Sequence, residues 1–292
     1  MQKFQGALLV IISSIAFGTM AVLAPLAYKA GATPITLLFL RFLIAGVIMV
    51  GWMLVRRIPF PHGKTLLGLI AIGGVWYVAQ TLAYFTALSM TAAGLVGLLL
   101  YLYPAIVALI GAIAFRERLS KAKLGALGLA LLGTAFTLKP DGDGFSLGIV
   151  LALTAAFLYA GYIVVGGKLM EKVDIRSATA VIMLSTGVSF GGIVAIRGFQ
   201  APNEISGWVA IAATVICSII ALGTFFAGLE KVGSTNAAIL STTEPFVTVG
   251  LAAWWLGERL EFSQLLGGIL ILFAVIFLTR AGLEENQKLA EN

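Results

Sequence analysis

Apolar residues run along this chain in blocks of about twenty, and polar residues gather between the blocks. A helix that crosses a bilayer needs roughly 20 mostly apolar residues. Ten such stretches are read here, at 6–27, 35–55, 65–88, 93–115, 120–138, 146–167, 177–196, 206–229, 235–256 and 263–280. None shows the alternation of apolar and polar positions that a membrane β-strand requires. The joins carry turn formers: Gly31-Ala32-Thr33-Pro34, Pro59-Phe60-Pro61, Pro140-Asp141-Gly142 and Ala201-Pro202-Asn203. The predicted fold class is therefore an all-α integral membrane protein with ten transmembrane helices. A signal peptide at the N-terminus is disfavoured, because the first apolar run is too long and has a counterpart in mid-chain. Residues 284–292 form a polar tail, expected to fray.

Composition agrees with the pattern. Of the 292 residues 60% are hydrophobic and 11% charged, against about 25% charged in a soluble domain. The net charge of +6 does not indicate nucleic acid, since the cations sit at span ends rather than in a basic patch with interleaved aromatics. The cations do set an orientation. With the N-terminus inside, fourteen of the 19 Lys and Arg residues fall on the inner side. The outer side receives Lys29, Lys139, Arg197 and Arg259. The positive-inside rule then puts both termini in the cytoplasm, and the expected location is the cell's inner (plasma) membrane.

The halves echo each other. Arg116-Glu117-Arg118-Leu119 follows the fourth span and Gly257-Glu258-Arg259-Leu260 the ninth, 141 residues later. At that spacing Pro104 meets Pro245 and Leu88 meets Leu229; at 142, Gly6 meets Gly148 and Phe17 meets Tyr159. The expected units are a first five-helix repeat at 1–140, a second at 141–283 and the tail at 284–292. Five is odd, so the second copy enters the membrane in the opposite sense. Inverted repeats recur in secondary transporters, where exchange of roles between halves opens one site to either side in turn.

These features resemble the drug/metabolite transporter superfamily (DMT), in its EamA-like ten-helix branch. The residues that carry the likeness are Ala16-Phe17-Gly18, Leu40-Arg41-Phe42, Pro104, Pro245 and the Glu-Arg-Leu endings at Glu117 and Glu258. The resemblance spans essentially the whole chain, most closely bacterial exporters of amino acids and related metabolites. It implies a central cavity lined by the first four helices of each half, with the fifth and tenth more peripheral.

Several residues are candidates for the work of transport. Arg41 and Glu244 lie within spans, where an ionisable group costs a few kcal/mol and seldom faces lipid. Glu244 reads as a solute contact or proton carrier. Arg41, like Glu117 and Glu258 at helix ends, reads as a structural charge. Pro104 and Pro245 each remove a backbone donor and free a carbonyl, so both are candidate gating kinks. On the third span Gly73, Tyr77, Gln80 and Tyr84 share one helical face. With Phe17, Tyr101, Tyr159, Ser218, Phe225, Thr242 and Glu244, Tyr77, Gln80 and Tyr84 form the predicted lining of a mostly apolar solute site. Trp52, Trp208, Trp254 and Trp255 read as interfacial anchors.

The expected function is a secondary transporter exporting small metabolites, foremost amino acids including aromatic ones, by alternating access. The alternative is a multidrug or nucleobase-type exporter of the same fold. An intramembrane enzyme is disfavoured, because no span holds a histidine and no two acids share a membrane face. A channel fits the inverted repeat less well. No Walker motif occurs. No cofactor or metal is expected: the one cysteine, Cys217, makes no metal cluster and the one histidine, His62, lies in a predicted loop. The expected partners are a small-molecule solute and the lipid bilayer, with the chain a monomer or homodimer.

Overall fold

The computed structural model of the protein describes residues 2–114, 120–138, 146–171 and 173–290. The described residues are helical, with no strand among them. The ten predicted spans appear as helices α1 (Gln2–Lys29), α2 (Pro34–Arg56), α3 (Gly63–Ala87), α4 (Ala93–Ile113), α5 (Lys121–Leu138), α6 (Leu147–Met170), α7 (Ile175–Arg197), α8 (Ile205–Gly233), α9 (234–256) and α10 (Phe262–Ala290). Eight of them are long and apolar enough to cross a bilayer. Helix α5 is shorter, and α9 is split into pieces. The last helix runs to Ala290, through most of the tail expected to fray. Glu117, a predicted structural charge, lies outside the described residues.

Local chemistry explains the ends. Thr33 caps α2, its hydroxyl accepting from the Thr36 amide, and Pro34 follows at the first helical position. Ser146 caps α6 and Asp174 caps α7 in the same way. Helix α8 passes into α9 through Gly233 at φ 79°, a backbone conformation that favours glycine. Both α4 and α9 break one turn before their prolines. The helical run stops at Leu100 and resumes at Tyr103, and it stops at Ser241 and resumes at Thr243.

Packing follows a regular plan. Helix α1 lies along α8 and touches α9, while α6 lies along α3 and touches α4. Helix α2 crosses α7, α4 meets α9, and α5 pairs with α10. Exchanging α1–α5 with α6–α10 maps this set of neighbours onto itself. The correspondence extends to residues. A side chain on Gly46 would come within 2.8 Å of the Leu184 nitrogen, and one on Gly187 within 2.6 Å of the Leu43 nitrogen. Those two contacts differ by 141 positions at both partners. Without a hydrophobic drive between helices in lipid, such close approach of small residues is what holds a crossing together. Gly6 abuts Lys231 and Val232, and Gly148 abuts Met90 and Thr91. Tyr84 meets Phe85 edge-on at 5.5 Å and 72°, and Phe225 meets Phe226 at 5.8 Å and 68°.

Candidate functional site

The chain has seven tyrosines, and all of them converge on one region of the bundle. Tyr101 and Tyr103 of α4 lie 6.0 Å apart between ring centroids. Tyr103 meets Tyr159 of α6 at 4.7 Å, and Tyr159 stacks near Tyr162 at 5.9 Å. Tyr162 stacks on Tyr77 of α3 at 4.9 Å, and Tyr77 meets Phe42 of α2 edge-on at 5.5 Å. Tyr84 packs on Phe85, whose carbonyl accepts a 3.1 Å hydrogen bond from the Tyr28 hydroxyl. The local reason is helical spacing: Tyr159 and Tyr162 are three apart, and Tyr77, Gln80 and Tyr84 follow at three and four. A π-helical segment, Ile72–Tyr77, ends where that stripe begins. It turns Gly73 away, toward Ile182 and Ser185 of α7, so Gly73 leaves the predicted face.

The phenols of Tyr77, Tyr84, Tyr103, Tyr159 and Tyr162 and the buried Gln80 amide have no hydrogen-bond partner among the described residues. Those five tyrosines are surrounded by neighbouring helices yet keep accessible surface. Their accessible polar groups mark the candidate site, since lipid could not satisfy them and a solute or water could.

Glu244 stands at one end of this aromatic chain. Its Oε2 lies 3.0 Å from the Tyr101 hydroxyl. The same hydroxyl lies 2.7 Å from the carbonyl oxygen of Ser241. That carbonyl is the one Pro245 leaves without its helical donor, four residues on. One phenolic proton shared between two acceptors makes two weakened bonds rather than two full ones. A protonated Glu244 resolves the conflict, donating to the Tyr101 oxygen while Tyr101 donates to Ser241. A deprotonated Glu244 competes with the carbonyl for the single proton.

Arg41 stands at the other end. It is 5% exposed. Its guanidinium lies 4.7 Å from the Phe42 ring centre and 5.1 Å from that of Phe85. Each such contact contributes about 0.5–2 kcal/mol, more when dry, which offsets part of the few kcal/mol that a charge costs in a membrane. Nε donates to Ser218 Oγ of α8 at 2.9 Å. The Ser218 hydroxyl itself lies 2.8 Å from the Thr214 carbonyl and 3.0 Å from Met20 Sδ. Arg41 makes no ion pair with a described acid.

Of the predicted lining, the structure brings together Tyr77, Gln80, Tyr84, Tyr101, Tyr159, Ser218 and Glu244. Phe225 packs on Phe226. Phe17 is half-buried beside Gly18, where α1 touches the Glu244 carbonyl. Neither shows a ring contact with the tyrosines. Thr242 is buried, and its hydroxyl turns back to Ile239 of its own helix. Tyr28, Phe42, Phe85, Tyr103 and Tyr162 were not anticipated. For Tyr162 a signal existed, its spacing of three from Tyr159. Pro104 and Pro245 lie just past the two helix breaks. Glu258 accepts from the amides of Ala93 and Gly94 at 2.7 and 3.0 Å. It thus caps α4 from across the bundle, since Ala92 supplies no side-chain cap. Trp52, Trp208, Trp254 and Trp255 are exposed, as anchors would be. Among the described residues no group of His, Cys, Asp and Glu could hold a metal ion.

Comparison with known proteins adds to this geometry. The model of the EamA-like transporter family matches twice, over residues 4–139 and 146–280. A Bacillus subtilis (strain 168) protein described as uncharacterized transporter YcbK is 27% identical, over 90% of this chain and 88% of its own. An Escherichia coli (strain K12) protein described as a probable amino-acid metabolite efflux pump is 27% identical, over 82% of this chain and 83% of its own. A crystal structure shares the fold, with a TM-score of 0.65 at 21% identity over 93% of this chain and 94% of the other.

Proposed function

Because the chain belongs to the EamA-like transporter family, we propose that it exports small amphipathic metabolites, amino acids foremost, by proton-coupled alternating access across the inner membrane. The observation that carries the coupling is the Glu244–Tyr101–Ser241 arrangement. Glu244 takes a proton and completes the chain of hydrogen bonds across the proline break. Loss of the proton sets the carboxylate against the Ser241 carbonyl and loosens α9 against α4. Protonation and helix geometry are thereby linked at the phenol-lined site. Among the described residues the side-chain partner of Glu244 is the Tyr101 phenol.

Two inverted halves, 1–140 and 141–283, supply the alternation. The twofold family match, the neighbour plan that survives exchange of halves, and the opposite sides expected for Arg118 and Arg259 support this reading. Both termini lie in the cytoplasm. Labelling of single cysteines at positions 118 and 259, in a chain with Cys217 replaced, tests it: reactivity from the same side ends the inverted arrangement. The function is tested in proteoliposomes loaded with L-phenylalanine, L-threonine, uracil or ethidium. An imposed proton gradient is expected to drive amino-acid efflux in the native protein. In Glu244→Gln, solute exchange persists and the response to the gradient disappears. A gradient response that survives in that variant removes Glu244 from the mechanism.

A further inference from the structure

Arg41 is held as a structural charge would be, but only on one side. Nε is fixed on Ser218, and the flat guanidinium rests near Phe42 and Phe85. Tyr28 in turn pins the Phe85 backbone. An interhelical lock between α2 and α8 accounts for all of that. It does not account for the two terminal amino groups, which donate to no described residue and are not sealed from accessible space. A 95%-buried arginine with an unused fork of donors is set up to receive a planar anion with two oxygens. Phe42 meets Tyr77 edge-on at 5.5 Å, and Phe85 meets Tyr84 at 5.5 Å. The fork therefore belongs to the tyrosine-lined site.

We propose that Arg41 is the anchor for a carboxylate of the solute, received by its two free amino groups while Ser218, Phe42 and Phe85 hold the plane of the fork. This rests on the transport reading for the identity of the site. It adds a selection rule: a solute needs a carboxylate, with a flat or apolar remainder against Tyr77 and Tyr84. An amine of the same shape without the carboxylate is excluded, because it would bring a second cation to Arg41 and leave the fork empty.

The test uses the full-length native chain in detergent and reads the shift in thermal unfolding. The probes are L-phenylalanine, 3-phenylpropionate and 2-phenylethylamine, which differ in the carboxylate and the amine while sharing the ring. Saturable stabilisation by both carboxylates and none by the amine is expected. Arg41→Gln should weaken the response to L-phenylalanine by about 10- to 100-fold, the range for losing a charged hydrogen bond. Arg41→Lys should recover part of it, having the charge without the fork. If Arg41→Gln does not fold, the three probes on the native protein decide alone. Equal stabilisation by 2-phenylethylamine, or none by either carboxylate, overturns the proposal. Flux in proteoliposomes separates it from the transport reading: carboxylate-dependent binding without flux keeps the anchor and ends the transporter, whereas flux of 2-phenylethylamine does the reverse.

Discussion

One side of the candidate site is built from α3, α4 and α6, and α8, α9 and α1 repeat that arrangement with different chemistry. At spacings of 141 or 142, Tyr77 stands where Ser218 does, Gln80 where Ala221 does, and Tyr84 where Phe225 does. Tyr101 answers Thr242, Tyr103 answers Glu244, and Tyr162 answers Met20. Backbone geometry has been kept, as the matching breaks at Tyr101 and Thr242 show. Contacts have been kept as well: Tyr162 stacks on Tyr77 where Met20 meets Ser218. What differs is where polar groups lack partners among the described residues. The α3–α4–α6 wall presents unpartnered phenols and an amide, and the other wall spends its polar groups internally and contributes one acid. An amphipathic solute has a polar side and an apolar side to match.

The comparison breaks first at Glu244, the acid that stands where Tyr103 does. Glu244→Gln is expected to abolish the pH response outright, measured as counterflow across a range of pH. Its equivalent, Tyr103→Phe, should leave that response in place. Loss of pH dependence in both variants would mean that position rather than ionisation matters.

The next largest effect concerns stability. Ala221 is fully buried, and its carbonyl accepts from Ser13 Oγ at 2.8 Å. Ala221→Gln, which copies the α3–α4–α6 wall, forces a large polar side chain into that contact and should destabilise the protein by about 1–3 kcal/mol. The reciprocal change, Gln80→Ala, removes an amide with no partner among the described residues and should cost under about 1 kcal/mol while slowing solute flux. Thermal unfolding in detergent reads both. Equal losses would mean that Gln80 is packed as tightly as Ala221.

The sequence made part of this legible, and the limit has a physical cause. The spans, the paired prolines and Glu244 stand out because lipid penalises polarity and because proline breaks backbone bonds wherever it sits. The stripe Tyr77–Gln80–Tyr84 follows from helical spacing. Tyr103 was hidden because it lies two residues from Tyr101, on different faces of a regular helix, and only the break at 101–102 puts both in one cluster. Arg41 read as structural because its serine partner lies 177 residues away. Nothing in the chain signals which of an arginine's donors are used.

The smallest expected effect separates the walls most finely. Tyr84 and Phe225 occupy equivalent positions, pack edge-on against equivalent neighbours, and differ by one hydroxyl. The Tyr84 hydroxyl has no partner among the described residues, which leaves it available to a solute. Tyr84→Phe should therefore raise the half-saturating concentration of an exported amino acid by about 2- to 10-fold, the worth of one neutral hydrogen bond. Because nothing in the protein is left unpaired, unfolding temperature should hardly move. Phe225→Tyr adds the hydroxyl to the apolar wall, where no solute group waits for it, and should leave the half-saturating concentration within about twofold. If the two exchanges gave equal and opposite changes, the walls would be interchangeable to the solute, which would then have no fixed orientation between them.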